Sequence, residues 1–338
     1  MATSFSLAVY SITINKKGDK DDLQILTDFG DAGKNFLSDM DTMFLSWKQD
    51  EKRGDQYVPV KKDSEDKQGN AFRLGTKADG GGYYLTCNGQ YIKGIIESGE
   101  FGTIEEGVNI ETGKTSFRKN ANDVLLKPFY FMLYIPKASQ YGFLLIERIS
   151  QSGIATILIN EIQKYCKNSG GYEEYTIRIQ PLVLNKLIDK RMAVLKYEAK
   201  TIELRKIQDE RLKISKISDN NVSDKDVHTN LVYKIKRGMR MQILDFINSV
   251  RGKRNEQDTF YVIDNDLKCD DIAVTVSVDG QEKVLSLQNL KSLGFSMDIT
   301  TDVSPLQTNG YPSYDKLDKQ ASILVSYIKE QFPNINEE

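Results

Sequence analysis

Histidine and cysteine are scarce in this sequence of 338 residues, and their scarcity limits the chemistry that the protein can perform. His228 is the single histidine, so zinc sites with two or more histidines are excluded, and a nucleophilic triad could rest only on this residue. It lies in a polar stretch that predicts a solvated loop. The three cysteines, Cys87, Cys166 and Cys269, are odd in number and far apart, so they indicate neither a disulfide framework nor a CxxC metal site.

Long apolar runs are also missing from the sequence. The run from Phe129 to Pro136 falls far short of the ~20 residues that cross a bilayer. The N-terminus alternates like a strand, without the basic start and apolar run of a signal peptide. We therefore expect a protein of the reducing cytoplasm with no membrane span. Its net charge is -2, so binding to a polyanion requires that the basic residues be segregated on one surface.

Hydrophobic periodicity predicts an α+β fold with mainly antiparallel sheets and a few packed amphipathic helices. Residues 5–14 alternate like a strand, and Asn88-Gly89 predicts a two-residue β-hairpin. The continuous apolar segments 129–135 and 143–148 should form two strands at the centre of the sheet, because strands this apolar are buried on both faces. A second hairpin is predicted around Asp279-Gly280.

Amphipathic helices are predicted at residues 31–48, 153–165, 241–250 and 313–332, with Ser152 and Ser313 as N-caps of the second and the last. Residues 192–207 are ambiguous, although their β-branched and aromatic content favours a strand. The polar stretch 219–230 predicts a domain boundary. It separates an α+β domain around the central apolar hairpin (1–218) from a smaller α+β domain that carries a basic segment and the C-terminal helix (231–338).

Three residues, Asp189, Glu198 and Lys200, form a candidate catalytic motif of the D…ExK type. In many restriction-type nucleases such a motif holds Mg²⁺ with two carboxylates while the lysine assists the attacking water. The alternative is an exposed cross-strand pair, because E-x-K is short and arises often by chance in a chain rich in lysine and glutamate. Magnesium is expected only with the nuclease alternative, and no other cofactor is indicated.

The segment 234–254 is strongly basic, with Asp245 as its only acid. Such a segment neutralises phosphates locally even in an acidic chain, because the effect extends over a Debye length of ~10 Å. The alternative is a solvated charged surface. The predicted nucleic-acid-binding residues are Lys234, Lys236, Arg237, Arg240, Arg251, Lys253 and Arg254.

The order of these segments resembles that of RexA-like phage-exclusion proteins. The resemblance rests on the apolar hairpin FYFMLYIP…YGFLLIERI, the step Ile179-Gln180-Pro181-Leu182 and the strand ending in Glu198-Ala199-Lys200. It implies a non-enzymatic, homodimeric, DNA-binding protein of bacterial anti-phage defence. A further alternative is an interaction subunit that contacts a partner protein of a defence operon, since the 17 tyrosines and 14 phenylalanines would serve an interface as well as a core.

Overall fold

A computed structural model divides the chain into two compact units. Unit 1 contains residues 1–182 and 296–338, and unit 2 contains residues 183–295. This division differs from the predicted one, because the C-terminal helix belongs to unit 1 and unit 2 is inserted before it. The residues that the structure describes are 3–19, 21–31, 33–48, 61–63, 68–77, 82–182, 184, 186–187, 198–207, 230–234, 261–264, 267–278, 281–286 and 296–333.

Unit 1 is built on a ten-stranded antiparallel sheet. Seven strands lie on its main path, in the order β11 (Tyr175–Pro181), β1 (Phe5–Lys16), β9 (Gly142–Ile149), β8 (Lys127–Tyr134), β5 (Tyr91–Phe101), β3 (Gly69–Leu74) and β2 (Lys61–Lys62). The other three are β10 (Ser152–Gly153), β17 (Met297–Asp298) and β4 (Leu85–Asn88), which pair with β9, β1 and β5 respectively. A separate two-stranded ribbon consists of β6 (Glu105–Val108) and β7 (Thr115–Lys119).

The predicted central strands are confirmed as β8 and β9. They lie side by side in the middle of the sheet, and nearly all their residues are buried. The first predicted hairpin is also confirmed, with its loop one residue further on. Asn88 pairs with Tyr91, so the loop consists of Gly89 and Gln90, and of these two only Gly89 has a positive φ, of 56°. That backbone conformation is one that glycine adopts without a steric penalty.

Three helices are described: α1 (Phe36–Leu45), α2 (Ala155–Asn168) and α3 (Tyr314–Gln331). Asn35 caps α1, because its side-chain oxygen accepts a hydrogen bond from the backbone N–H of Ser38 at 3.1 Å. The prediction of Ser152 as the cap of α2 is wrong, since Ser152 belongs to β10 and the N-cap is Ile154. Ser313 is the N-cap of α3 as predicted. The predicted helix 241–250 lies outside the described residues.

The helices of unit 1 cover both faces of the sheet. Phe131 in β8 stacks on Phe44 of α1, with ring centroids 4.8 Å apart, whereas its neighbour Tyr130 contacts Tyr314 of α3 at 5.6 Å. Because successive strand residues point to opposite faces, α1 and α3 lie on opposite sides of β8. Helix α2 contacts α1 and therefore shares its side. None of the helices in the described ranges is long and apolar enough to cross a membrane.

Unit 2 contains a five-stranded antiparallel sheet. Its main path is β13 (Leu231–Lys234), β12 (Glu198–Ile207), β15 (Leu267–Val278) and β14 (Tyr261–Asp264), and β16 (Gln281–Ser286) also pairs with β15. The hairpin at Asp279-Gly280 is confirmed, since Val278 pairs with Gln281 across these two residues. The strand interpretation of the ambiguous segment holds for residues 198–207. Of the predicted boundary 219–230, only residue 230 is described.

Candidate nucleic-acid interface

Lys234 is the one predicted phosphate-binding residue that the structure describes. It is the last residue of β13, at the edge of the unit 2 sheet, where β13 pairs with β12 alone among the described strands. Its side chain is exposed and pairs with no acid in the described part of the chain. The edge strand therefore presents an exposed ammonium group to solvent where the chain enters the basic segment.

The two faces of this sheet differ in chemistry. On β12, Ile202 and Leu204 are 8% and 1% exposed, and Leu204 pairs with Ile272 of β15, which is fully buried. On the other face, Arg205 Nη2 lies 2.9 Å from Glu203 Oε2, and these two charges neutralise each other. Alternation along β12 produces this division into an apolar and a polar face.

The register assigns Lys234 to the polar face. Lys234 pairs with Thr201, and Val232 pairs with Glu203, whereas Tyr233 pairs with Ile202 on the apolar face. Directly paired residues share a face of the sheet. Lys234 thus lies on the same face as the Glu203–Arg205 ion pair.

The other six predicted phosphate contacts lie outside the described residues. They are Lys236, Arg237, Arg240, Arg251, Lys253 and Arg254. The structure therefore establishes the strand that leads into the basic segment and leaves the arrangement within that segment a prediction.

Of the three candidate catalytic residues of the nuclease alternative, the structure describes two. Glu198 and Lys200 both lie on β12 as predicted, and Asp189 lies outside the described residues. Glu198 pairs with Ser277 of β15, but the register shifts between Ala199 and Thr201, so Lys200 is the extra residue of a β-bulge. A bulge interrupts the two-residue alternation that would hold Glu198 and Lys200 on one face. The backbone therefore departs from the regular strand that the D…ExK interpretation assumed.

A polar network in unit 1 was not predicted. Asp318 of α3 accepts hydrogen bonds from the Tyr130 hydroxyl at 2.7 Å and from Lys93 Nζ at 2.9 and 2.7 Å. Burial, and then the nearby Asp318 carboxylate, raise the pKa of the Tyr130 hydroxyl far above its usual value, so it stays a donor at neutral pH. The only signal in the sequence was a tyrosine inside a buried apolar strand, which commonly needs a hydrogen-bond partner.

No protein-family model matches this chain, and comparison with curated proteins also finds no match.

Proposed function

We propose that this protein binds nucleic acid through unit 2, that its ligand is duplex DNA bound without sequence reading, and that it acts without catalysis in anti-phage defence. The observation that carries the proposal is Lys234, an exposed ammonium group without an ion pair among the described residues, on an edge strand that leads directly into a segment with six further basic residues. The defence context comes from the resemblance to RexA-like proteins.

Charge segregation supports the proposal despite the net charge of -2. Glu203, an acid on the same face of the sheet as Lys234, is already engaged with Arg205. The sign of the local potential is then set by Lys234 and the residues that follow it. Phosphate contacts of this kind release counterions, so the affinity falls as salt is added.

The test is a set of binding curves for labelled duplex and single-stranded DNA at several salt concentrations. Wild type is compared with a variant in which Arg237, Arg240, Arg251 and Arg254 are replaced by glutamine. Loss of four phosphate contacts reduces the slope of log K against log salt by about 3–4. Full affinity in this variant, or an affinity of the wild type that does not depend on salt, overturns the proposal.

Two control arms separate the alternatives. Lys137→Gln removes an exposed lysine of unit 1 and should leave binding unchanged. Incubation of plasmid with wild-type protein and Mg²⁺, beside the Glu198→Ala variant, tests the nuclease alternative. If wild type cuts the plasmid and the variant does not, the nuclease function takes the place of the non-catalytic one.

For the biological role, phage plating on bacteria that express wild type or the four-arginine variant should show protection by wild type alone.

A further inference from the structure

Unit 1 contains a cavity that the proposed function does not use. It has a volume of about 390 Å³ and lies where the ends of β3, β5 and β8 meet the β6–β7 ribbon and the turn before α2. The lining residues used below are Ser98, Glu100, Glu105, Lys119, Lys127 and Gln151. The volume lies within the range of about 300–1,000 Å³ that is typical of small-molecule sites.

The walls of this cavity are polar and their charges balance. Lys119 and Lys127 supply two ammonium groups, and Glu100 and Glu105 supply two carboxylates. Most small-molecule sites are mainly apolar with a few polar groups, so these walls fit a polar ligand instead. A ligand with a net charge would be repelled by the groups on the wall that carry the same charge. The balance therefore favours a molecule that is neutral overall.

One of the two possible ion pairs is already formed. Lys119 has a side chain only 3% exposed, and its Nζ donates hydrogen bonds to Glu105 Oε1 at 2.8 Å and to Thr103 Oγ1 at 2.9 Å. A buried ammonium group is held in place by partners of this kind. An ammonium group has three donors, so Lys119 retains one N–H for a further acceptor.

The other two charges remain unpaired although they are close together. Lys127 of β8 pairs with Ser98 of β5, and Glu100 follows Ser98 by two residues, so Lys127 and Glu100 share a face as diagonal neighbours. Diagonal neighbours lie about 7–8 Å apart, within reach of long side chains. Yet both side chains are exposed, and neither forms an ion pair with the other or with any residue in the described ranges.

We propose that this cavity binds a small zwitterion, specifically a free α-amino acid. The ligand's carboxylate lies against Lys127 and the remaining N–H of Lys119, and its ammonium group lies against Glu100. Gln151 supplies amide hydrogen bonds. An inorganic anion would face Glu100 and a simple cation would face Lys127, so a molecule with both charges uses both free groups. This site is independent of the nucleic-acid interface in unit 2.

Thermal unfolding in the presence of the standard free amino acids at millimolar concentration tests the proposal. Trp47 is the only tryptophan and lies in the core of unit 1, so its fluorescence reports on this unit alone. The best amino acid is then compared with its N-acetyl and methyl-ester derivatives, each of which lacks one charge. We expect the free amino acid to raise the unfolding temperature, and we expect both derivatives to fail.

Variants then assign the two contacts. Lys127→Met and Glu100→Gln change exposed side chains, so both should fold, and each should weaken binding by about tenfold or more. The matched control is Lys137→Met, which changes an exposed lysine away from the cavity. The proposal is overturned if no amino acid raises the unfolding temperature, if the blocked derivatives act as well as the free one, or if all three variants bind alike.

Discussion

The carboxylate of Glu147 accepts a hydrogen bond from the backbone N–H of Tyr130, with 2.8 Å between Oε2 and the nitrogen. The contact lies where the regular pairing of β8 with β9 stops, one residue beyond the pair Phe131 and Ile146. Glu147 is 1% exposed, and its other oxygen, Oε1, has no hydrogen-bond partner among the described residues. A side chain thus replaces a backbone acceptor inside the core, and burial raises the pKa of Glu147 from its usual value of 4.5 to about 7.

This relationship predicts a dependence of stability on pH. The pKa of Glu147 is higher in the folded state than in the unfolded state, so its protonated form favours folding. That contribution is complete below pH 4.5 and is lost as the pH rises through about 7. The free energy of unfolding of unit 1, measured by denaturant titration with Trp47 fluorescence, should therefore decrease over this range, by an amount on the order of 3 kcal/mol.

Glu147→Gln is the matched variant for this prediction. Its amide oxygen still accepts the N–H of Tyr130, but the side chain has no ionisable proton. The variant should match wild type at low pH, exceed it above neutral pH, and show a flatter pH profile. Parallel profiles for the two proteins would mean that another group controls the pH dependence.

The network around Asp318 predicts a large loss of stability on truncation. Asp318→Ala leaves the buried Tyr130 hydroxyl without its acceptor and Lys93 without its ion-pair partner. An unsatisfied buried donor costs about 1–3 kcal/mol, so the free energy of unfolding of unit 1 should decrease by about 2–3 kcal/mol. Asp315→Ala, in the first turn of the same helix, is the control and should cost less than about 1 kcal/mol.

A double-mutant cycle sharpens this test. Tyr130→Phe removes the hydroxyl that Asp318→Ala leaves unsatisfied, so the double variant should be more stable than the sum of the single losses predicts. Strict additivity would show that the hydrogen bond between Tyr130 and Asp318 contributes nothing measurable.

The register of β13 predicts different effects on DNA binding for two neighbouring residues. Lys234 lies on the polar face and Tyr233 on the apolar face, opposite Ile202. Lys234→Gln should weaken DNA binding and reduce the salt slope by about 0.9. Tyr233→Leu should leave binding to duplex DNA unchanged. If the tyrosine variant instead lost single-stranded binding by about 1–3 kcal/mol, base stacking on Tyr233 would be the main contact.

The central strands were predictable because their sequence permits one environment. The runs that became β8 and β9 are apolar at successive positions, and only burial on both faces accommodates such runs. The insertion of unit 2 was not predictable in this way. It depends on β17, two residues long, whose Met297 pairs with Leu7 near the other end of the chain. Local periodicity carries no information about a pairing between such distant segments.

Contacts between distant segments also limited how much of the candidate sites could be predicted from the sequence. The basic composition of segment 234–254 was visible in the sequence. The proximity of Lys127 to Glu100 depends on the register of β5 against β8, in which Lys127 pairs with Ser98. Likewise, Glu147 in the run FLLIER could have marked a strand end, and only the register with β8 reveals it as a buried acceptor.

The two cysteines whose side chains are described should differ sharply in reactivity. Cys166 on α2 is 2% exposed, and burial raises the pKa of its thiol to about 12, whereas Cys87 is exposed. Because the thiolate is the reactive form, Cys166 should not react with a thiol reagent at neutral pH until the protein unfolds. Burial and Asp41 also raise the pKa of Cys87, so its labelling should be slower than that of a free cysteine and should accelerate as the pH rises.

A Cys269→Ser background isolates the two thiols, and adding Cys87→Ser should abolish labelling in the absence of denaturant. Rapid labelling that persists in this double variant would mean that α2 opens readily from the sheet.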